Sequence, residues 1–254
     1  MKKGLVLLTV VLPLMFAGCS KDDDPDLISL KVSEKTLYYG DEYQIEATSK
    51  AAIAYTVENE YHAKVSETGL VTARFVGETN VILSNGEDTK NFKVIVKPKN
   101  NLYPEPDVKF GDSKSSIVAK FGTPDDETSD ETSSLIAYSD YSNAAPGLIF
   151  VFDSSNKLSG YCVVVKSMYS STLGVFLGER YLLVDTESYD TFGFVNGLNM
   201  STATMAIILQ LYNISYWTVT YVPITSTSTK NTSLKSSKNK TGTNAFNELL
   251  KHLQ

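Results

Sequence analysis

The sequence predicts a mainly β protein with an α+β part: a small N-terminal β-sandwich followed by a two-repeat helix-plus-antiparallel-sheet domain. Three observations lead there. The 254 residues include 15 Tyr and are 42% hydrophobic, enough apolar material for two cores, and no long run of Ala, Glu, Lys and Leu suggests a large helical domain. Residues 27–98 run as short alternating stretches separated by turn residues. Residues 108–223 carry one pattern twice, at an offset of 56 positions.

The amino terminus is expected to be removed. Met1-Lys2-Lys3 is positive, Leu5 to Phe16 is apolar, and Ala17-Gly18 supplies small residues before Cys19. A membrane-spanning helix needs about 20 apolar residues, and here Ser20-Lys21-Asp22-Asp23-Asp24 follows at once. Phe16-Ala17-Gly18-Cys19 resembles the lipobox of bacterial lipoproteins, with Phe where Leu is commoner. The acidic run after Cys19 is similar to a signal that sends some Gram-negative lipoproteins to the outer face of the outer membrane. The resemblance implies a signal peptide over 1–18, a tether over 19–26, and palmitate-type acyl chains on Cys19. Each buried methylene contributes about 0.8 kcal/mol, so two or more chains hold durably.

In the stretch 27–98, Phe92, Val94 and Val96 alternate with Lys93, Ile95 and Lys97, so one face can pack while the other meets water. Gly40-Asp41, Asn59-Glu60 and Asn85-Gly86 supply turns. Val32-Ser33 with Leu37, then Gly40-Asp41, then Ala63 through Ala73 (AKVSETGLVTA) and a closing Val94-Ile95-Val96 resemble a bacterial Ig-like group 2 domain. The Trp often found before the central turn is replaced around Tyr55. The resemblance implies an Ig-like sandwich with a surface role and no named ligand. His62 is expected in a solvent-facing turn.

Lys97 to Pro106 mixes polar residues with three prolines and predicts a stiff linker over 99–107. Next, Asp112 and Ser113 can cap a helix bearing Ile117, Val118 and Phe121, with Gly122 as its stop. Strands are expected at 135–141, 148–152 and 160–165, the last two joined by the hairpin Asp153–Lys157. Shifted by 56, Ile117 falls on Leu173, Phe121 on Leu177, Tyr138 on Phe194, Tyr161 on Trp217 and Val163 on Val219. A helix ending in Phe-Gly-x-Pro, then a Tyr-bearing strand and a hairpin, resembles the β-lactamase-inhibitor-protein-like fold over 108–223. That resemblance implies a non-catalytic domain that engages another protein.

Residues 224–254 form a Ser/Thr/Lys-rich tail in which Phe246, Leu249, Leu250 and Leu253 fall on one helical stripe.

Composition narrows the chemistry. Net charge is −6, or −8 once Lys2 and Lys3 are gone, which argues against nucleic acid. Only Cys19 and Cys162 are present, so no disulfide framework exists. His62 and His252 lie in different parts of the chain, leaving Cys162 without a base and reading as an inert buried thiol. Asp125-Asp126-Glu127 with Asp130-Glu131 fails the calcium-loop pattern, with Asp130 where Gly is needed and Ile136 where Glu is needed, and reads as a solvated loop. No catalytic residue, metal site or cofactor is assigned. Tyr161, Tyr216, Trp217 and Tyr221 are the candidate recognition residues, with Tyr216 on the face opposite Trp217 and Tyr221. The expectation is a non-enzymatic outer-membrane lipoprotein on the surface of a Gram-negative cell, held to the membrane through lipid on Cys19. It would display a protein-binding domain on an Ig-like spacer. The alternative is a carbohydrate-binding or glycan-utilisation accessory lipoprotein.

Overall fold

The computed structural model describes residues 24–188 and 190–224. The leader, Cys19 and the tail from 225 onward lie outside them, as do the expectations that fall there. Among the described residues no helix is long and apolar enough to cross a membrane.

The first domain is a β-sandwich of nine short strands: β1 (Ser29–Leu30), β2 (Glu34–Tyr38), β3 (Glu42–Gln44), β4 (Ala47–Thr48), β5 (Ala54–Val57), β6 (Ala63–Val65), β7 (Leu70–Ala73), β8 (Gly77–Ser84) and β9 (Thr89–Lys97). One sheet has the order β2-β9-β8-β5 and the other β3-β7-β6, while β1 and β4 pair separately. Alternation decides what goes inside: Val81 and Leu83 on β8 and Phe92, Val94 and Val96 on β9 are buried against Val71 and Ala73. β2 joins β9 in parallel, closing the sandwich from the amino-terminal side. Gly69, at φ +82, is required by the Gly-Leu-Val-Thr-Ala turn, because a Cβ there would lie 2.8 Å from the Tyr55 ring. Tyr55 thus fills the space beside the turn.

Asp26, expected at the end of the tether, is buried and bonded into this domain. Its carboxylate accepts from the backbone N–H groups of Lys50 and Ala51 and from Ser49 Oγ, and these bonds, Lys50 first, hold its carboxyl below the usual range.

The second domain is one eight-stranded antiparallel sheet under two helices. The elements are α1 (Lys114–Phe121), β10 (Asp126–Ser129), β11 (Ser133–Ser139), β12 (Gly147–Asp153) and β13 (Leu158–Lys166), then a 3-10 turn (Ser167–Tyr169), α2 (Ser170–Gly178), β14 (Leu182–Ser188), β15 (Thr191–Val195), β16 (Met205–Asn213) and β17 (Tyr216–Pro223). Each repeat is one helix and a four-strand meander, and the sheet order β10-β11-β12-β13-β17-β16-β15-β14 sets the meanders back to back. The register at the junction is symmetric. Tyr161 pairs with Tyr221, Val163 with Val219 and Val165 with Trp217, so a shift of 56 carries Tyr161 onto Trp217 and Val165 onto Tyr221, exchanging the two outer pairs, and carries Val163 onto its own partner.

Ser113 caps α1 by accepting from Ser116 N, and Gly122 ends the helix at φ +90. Ile117 from α1 and Leu173, Phe176 and Leu177 from α2 are buried against Phe150, Val163, Ile207 and Val219 on the sheet. The acidic stretch expected as a loop is in part the edge strand β10, which pairs with β11 through Asp126 to Ser129. A charged edge strand resists further pairing, and the alternation of its few side chains is too short to register as strand in the sequence.

Candidate functional site

The strongest concentration of buried polar groups lies where the two domains meet. Directly after α2 come Glu179 and Arg180, both buried. The Glu179 carboxylate accepts from Lys99 N at 2.9 Å, Asn100 N at 3.1 Å and Asn100 Nδ2 at 2.6 Å, and its carbonyl accepts from Val76 N of the first domain at 2.9 Å. The Arg180 guanidinium lies 3.7 Å from the Phe176 ring centroid. It donates to Glu105, to the Asn100 carbonyl and to the Phe176 carbonyl at the end of α2, where the helix dipole favours a cation.

The linker is therefore strapped down rather than free. Beyond these bonds, Tyr103 is buried in the second core with its hydroxyl 2.9 Å from that of Tyr221. Proline content predicts stiffness, whereas the partners of residues 99–105 are Glu179, Arg180 and Tyr181 just after α2, Tyr221 on β17, and Tyr39 and Asp41 of the first domain.

Tyr61 closes the joint from the other side. It stacks on Phe75 at 4.6 Å and donates its hydroxyl to the Arg180 carbonyl at 2.6 Å. Burial pushes the phenol of Tyr61 up, and burial together with the Glu105 charge does the same for Tyr181, so both act as donors. His62 is not the solvent-facing residue expected. It is half-buried, with Nδ1 3.1 Å from the Phe75 carbonyl and its ring against Gly77, where a Cβ would come within 2.2 Å.

A cleft of about 590 Å³ opens beside this joint, lined by Asn59, His62, Glu105, Tyr181, Asn196 and Thr202 among others. Its polar groups are largely occupied within the protein. Asn196 Oδ1 accepts from Thr204 N and Met205 N while Nδ2 donates to Thr204 Oγ1, and Glu105 accepts from Arg180 and Tyr181. Groups already paired have little left to offer a ligand. Among the described residues, no three His, Cys, Asp or Glu side chains converge as a metal site.

A second surface lies at one end of the second repeat. Ile214, at the tip of the two-residue β16–β17 hairpin, is 93% exposed, and Met168 in the 3-10 turn is 80% exposed. The two segments are tied together, because Ser167 N donates to the Ser215 carbonyl and Trp217 Nε1 donates to Ser170 Oγ. Leu211 is exposed nearby on β16. Scattered exposed apolar residues are ordinary, but here the bonds between the turn and the hairpin group Ile214 and Met168 at one end of the repeat.

The four aromatics chosen from sequence do not form one surface. Tyr161 and Tyr221 are core residues, stacked at 4.4 Å beneath the helices, which removes both from any recognition surface. Trp217 is half-buried on the same face, packed beside Phe192. Tyr216 lies half-buried on the opposite face, against the cluster containing Cys162. Cys162 is itself buried, and burial pushes its thiol up to about 12. Sequence reasoning passed over Ile214 and Met168. The available signal was an apolar residue between Asn213 and Ser215, where a polar hairpin tip is the norm.

No family model matches the chain, and no curated protein matches it. Solved structures with some likeness include domains 4 and 5 of the S-layer protein SbsC, 16% identical over 79% of this chain and 88% of that one, TM-score 0.25. Another is human protocadherin-24 EC1-2, 9% identical over 78% of this chain and 95% of that one, TM-score 0.25. A third is SGBP-B of the Bacteroides ovatus mixed-linkage glucan utilization locus, bound to a mixed-linkage heptasaccharide, 9% identical over 86% of this chain and 46% of that one, TM-score 0.26. Overlays this loose define no shared site.

Proposed function

We propose that the chain is a non-enzymatic cell-envelope lipoprotein, anchored through Cys19 and displayed at the surface of a Gram-negative cell. Its second domain, read as β-lactamase-inhibitor-protein-like, engages a protein partner through the exposed end of the second repeat. The observation that carries this is Ile214 at 93% exposure beside Met168 at 80%. An apolar tip held on a braced hairpin is poorly hydrated alone and gains when a partner covers it. The lipobox resemblance at Phe16–Cys19 supports the anchor, and the Ig-like domain fits a spacer locked to its cargo by Glu179 and Arg180.

Carbohydrate binding is the second reading, but an extended glycan site presents exposed aromatics in a row. Among the described residues Trp217 and Tyr181 are hydrogen-bonded and partly buried, and the exposed Tyr38 and Tyr39 are two consecutive residues of the first domain rather than a row. The test is retention of envelope proteins and of an arrayed glycan set by the wild-type chain and by Ile214→Asp/Met168→Asp. Retention of one protein partner, reduced tenfold or more by the double variant, is the expected result, and Cys19→Ala should move the chain to the soluble fraction without altering it. Glycan retention with no protein partner overturns the reading.

A further inference from the structure

The eight-stranded sheet has an inner face beneath α1 and α2 and an outer face. In the second repeat the outer face is mixed: Thr191, Gly193, Thr218 and Thr220 share it with Val195, Ala206 and Ile208, and Thr218 is buried. The equivalents of Thr191, Gly193, Thr218 and Thr220 in the first repeat are Leu135, Ala137, Cys162 and Val164, which with Ile149 form a separate apolar cluster. Exposure of these five is 5% or less. Among the described residues, the apolar side chains packed against them are Val151, Tyr212 and Tyr216, all from the sheet itself. A sheet face of this composition calls for a second layer.

We propose that this layer is the C-terminal segment Asn244–Leu253 of the same chain, docked through Phe246, Leu249, Leu250 and Leu253 on the outer face of the first repeat. Where the chain leaves the sheet favours this. β17 is a central strand next to β13, and Ile224 N still donates to the Thr204 carbonyl. From there, residues 225–243 can reach up to roughly 60 Å at about 3.3 Å per residue, whereas four strands span roughly 19 Å at about 4.8 Å each. A ten-residue helix is about 15 Å long, matching that width, and a helix so short does not persist alone in water.

Charge points the same way. Residues 24–224 carry 15 Lys and Arg against 26 Asp and Glu, a net −11, while 225–254 carry five Lys against Glu248, a net +4. A basic tail on an acidic body stays close to it. The four Lys of 225–243 precede the apolar stripe, so attraction holds the segment near the face while Phe246 and the leucines supply the contact.

Cys162 reports on the cover. With Cys19→Ser in the mature chain it is the sole thiol, and it sits in the centre of the face. Its labelling by an aromatic disulfide reagent at pH 8 should be slow in the full chain and at least tenfold faster in Phe246→Asp/Leu250→Asp, with unchanged far-UV circular dichroism. Asn247→Asp, off the stripe, should keep the slow rate, and the rate should not change over a hundredfold dilution. Equal rates in the stripe variant and the parent overturn the proposal. So does protection that fades on dilution, which would make a second copy the occupant. If the stripe variant loses its circular dichroism signal, labelling of the parent after proteolytic removal of the tail decides by the same criterion.

Discussion

Val163 and Val219 face each other at the junction of the two repeats, and on the helix side the same kinds of side chain follow in both directions. Tyr161 answers Trp217, Val165 answers Tyr221, Tyr138 answers Phe194 and Ile117 answers Leu173. Away from the helices the correspondence stops. On the outer face, Leu135, Cys162 and Val164 stand where the second repeat has Thr191, Thr218 and Thr220. After the helices, Thr123-Pro124 stands where the second repeat has the buried Glu179-Arg180. At the hairpins, the polar Asp153–Lys157 turn corresponds to the exposed Ile214 tip. A shared core tolerates little change because close packing penalises both voids and excess volume. The outer face, helix ends and hairpins are free of that constraint, and there the repeats take separate tasks: one carries a face that needs covering, the other the joint and the apolar tip.

If the helix-side equivalence is energetic as well as geometric, truncating either member should cost the same. Ile117→Ala and Leu173→Ala remove fully buried side chains, and each should destabilise the second domain by about 2–5 kcal/mol, measured by urea unfolding. Agreement within about 1 kcal/mol supports two balanced halves. A large loss at Leu173 with little at Ile117 would break the comparison, making the second helix the sole organiser.

The helix ends should differ sharply. Arg180→Ala removes a guanidinium with 8% side-chain exposure from beside Glu179 and from Glu105, which is 32% exposed. Unpairing buried charge typically costs 3–5 kcal/mol, and partial hydration of Glu105 reduces this to about 2–3 kcal/mol. Because the same groups hold residues 99–105, calorimetry should show the single transition of the parent separate into two. Pro124→Ala, at the equivalent position, should change stability by less than about 0.5 kcal/mol.

The core of both domains was legible in the sequence because burial imposes a period: Phe92, Val94 and Val96 alternate, and the offset of 56 aligns α1 with α2 and β13 with β17. What was not legible depends on contacts between distant segments. Tyr161 and Tyr221 have the composition of an interface and the position of a core, and only pairing with Tyr103, 118 residues from Tyr221, distinguishes the two. Glu179 and Arg180 look like surface charges at a helix end until the linker and Val76 arrive. His62 is expected in the open because its turn is visible in the sequence and the approach of Phe75 and Gly77 to its ring is not.

The smallest difference lies at the sheet edges. In the first repeat Lys114 of α1 pairs with Glu127 of β10, with side-chain exposures of 19% and 53%. The equivalent positions in the second repeat are Ser170, which accepts from Trp217 Nε1, and the exposed Leu183 on β14. One repeat thus fastens its helix start to its edge strand by charge, while the other fastens it to a central strand by a neutral hydrogen bond. A half-exposed ion pair contributes at most about 1 kcal/mol, and salt screens it, since the Debye length falls to about 3 Å at 1 M. Glu127→Gln should therefore lower the urea midpoint slightly at low ionic strength and leave it unchanged in 1 M sodium chloride. Ser170→Ala should produce a loss of similar size at both. A salt-insensitive loss at Glu127 would mean that packing of the edge strand, rather than charge, holds the first helix in place.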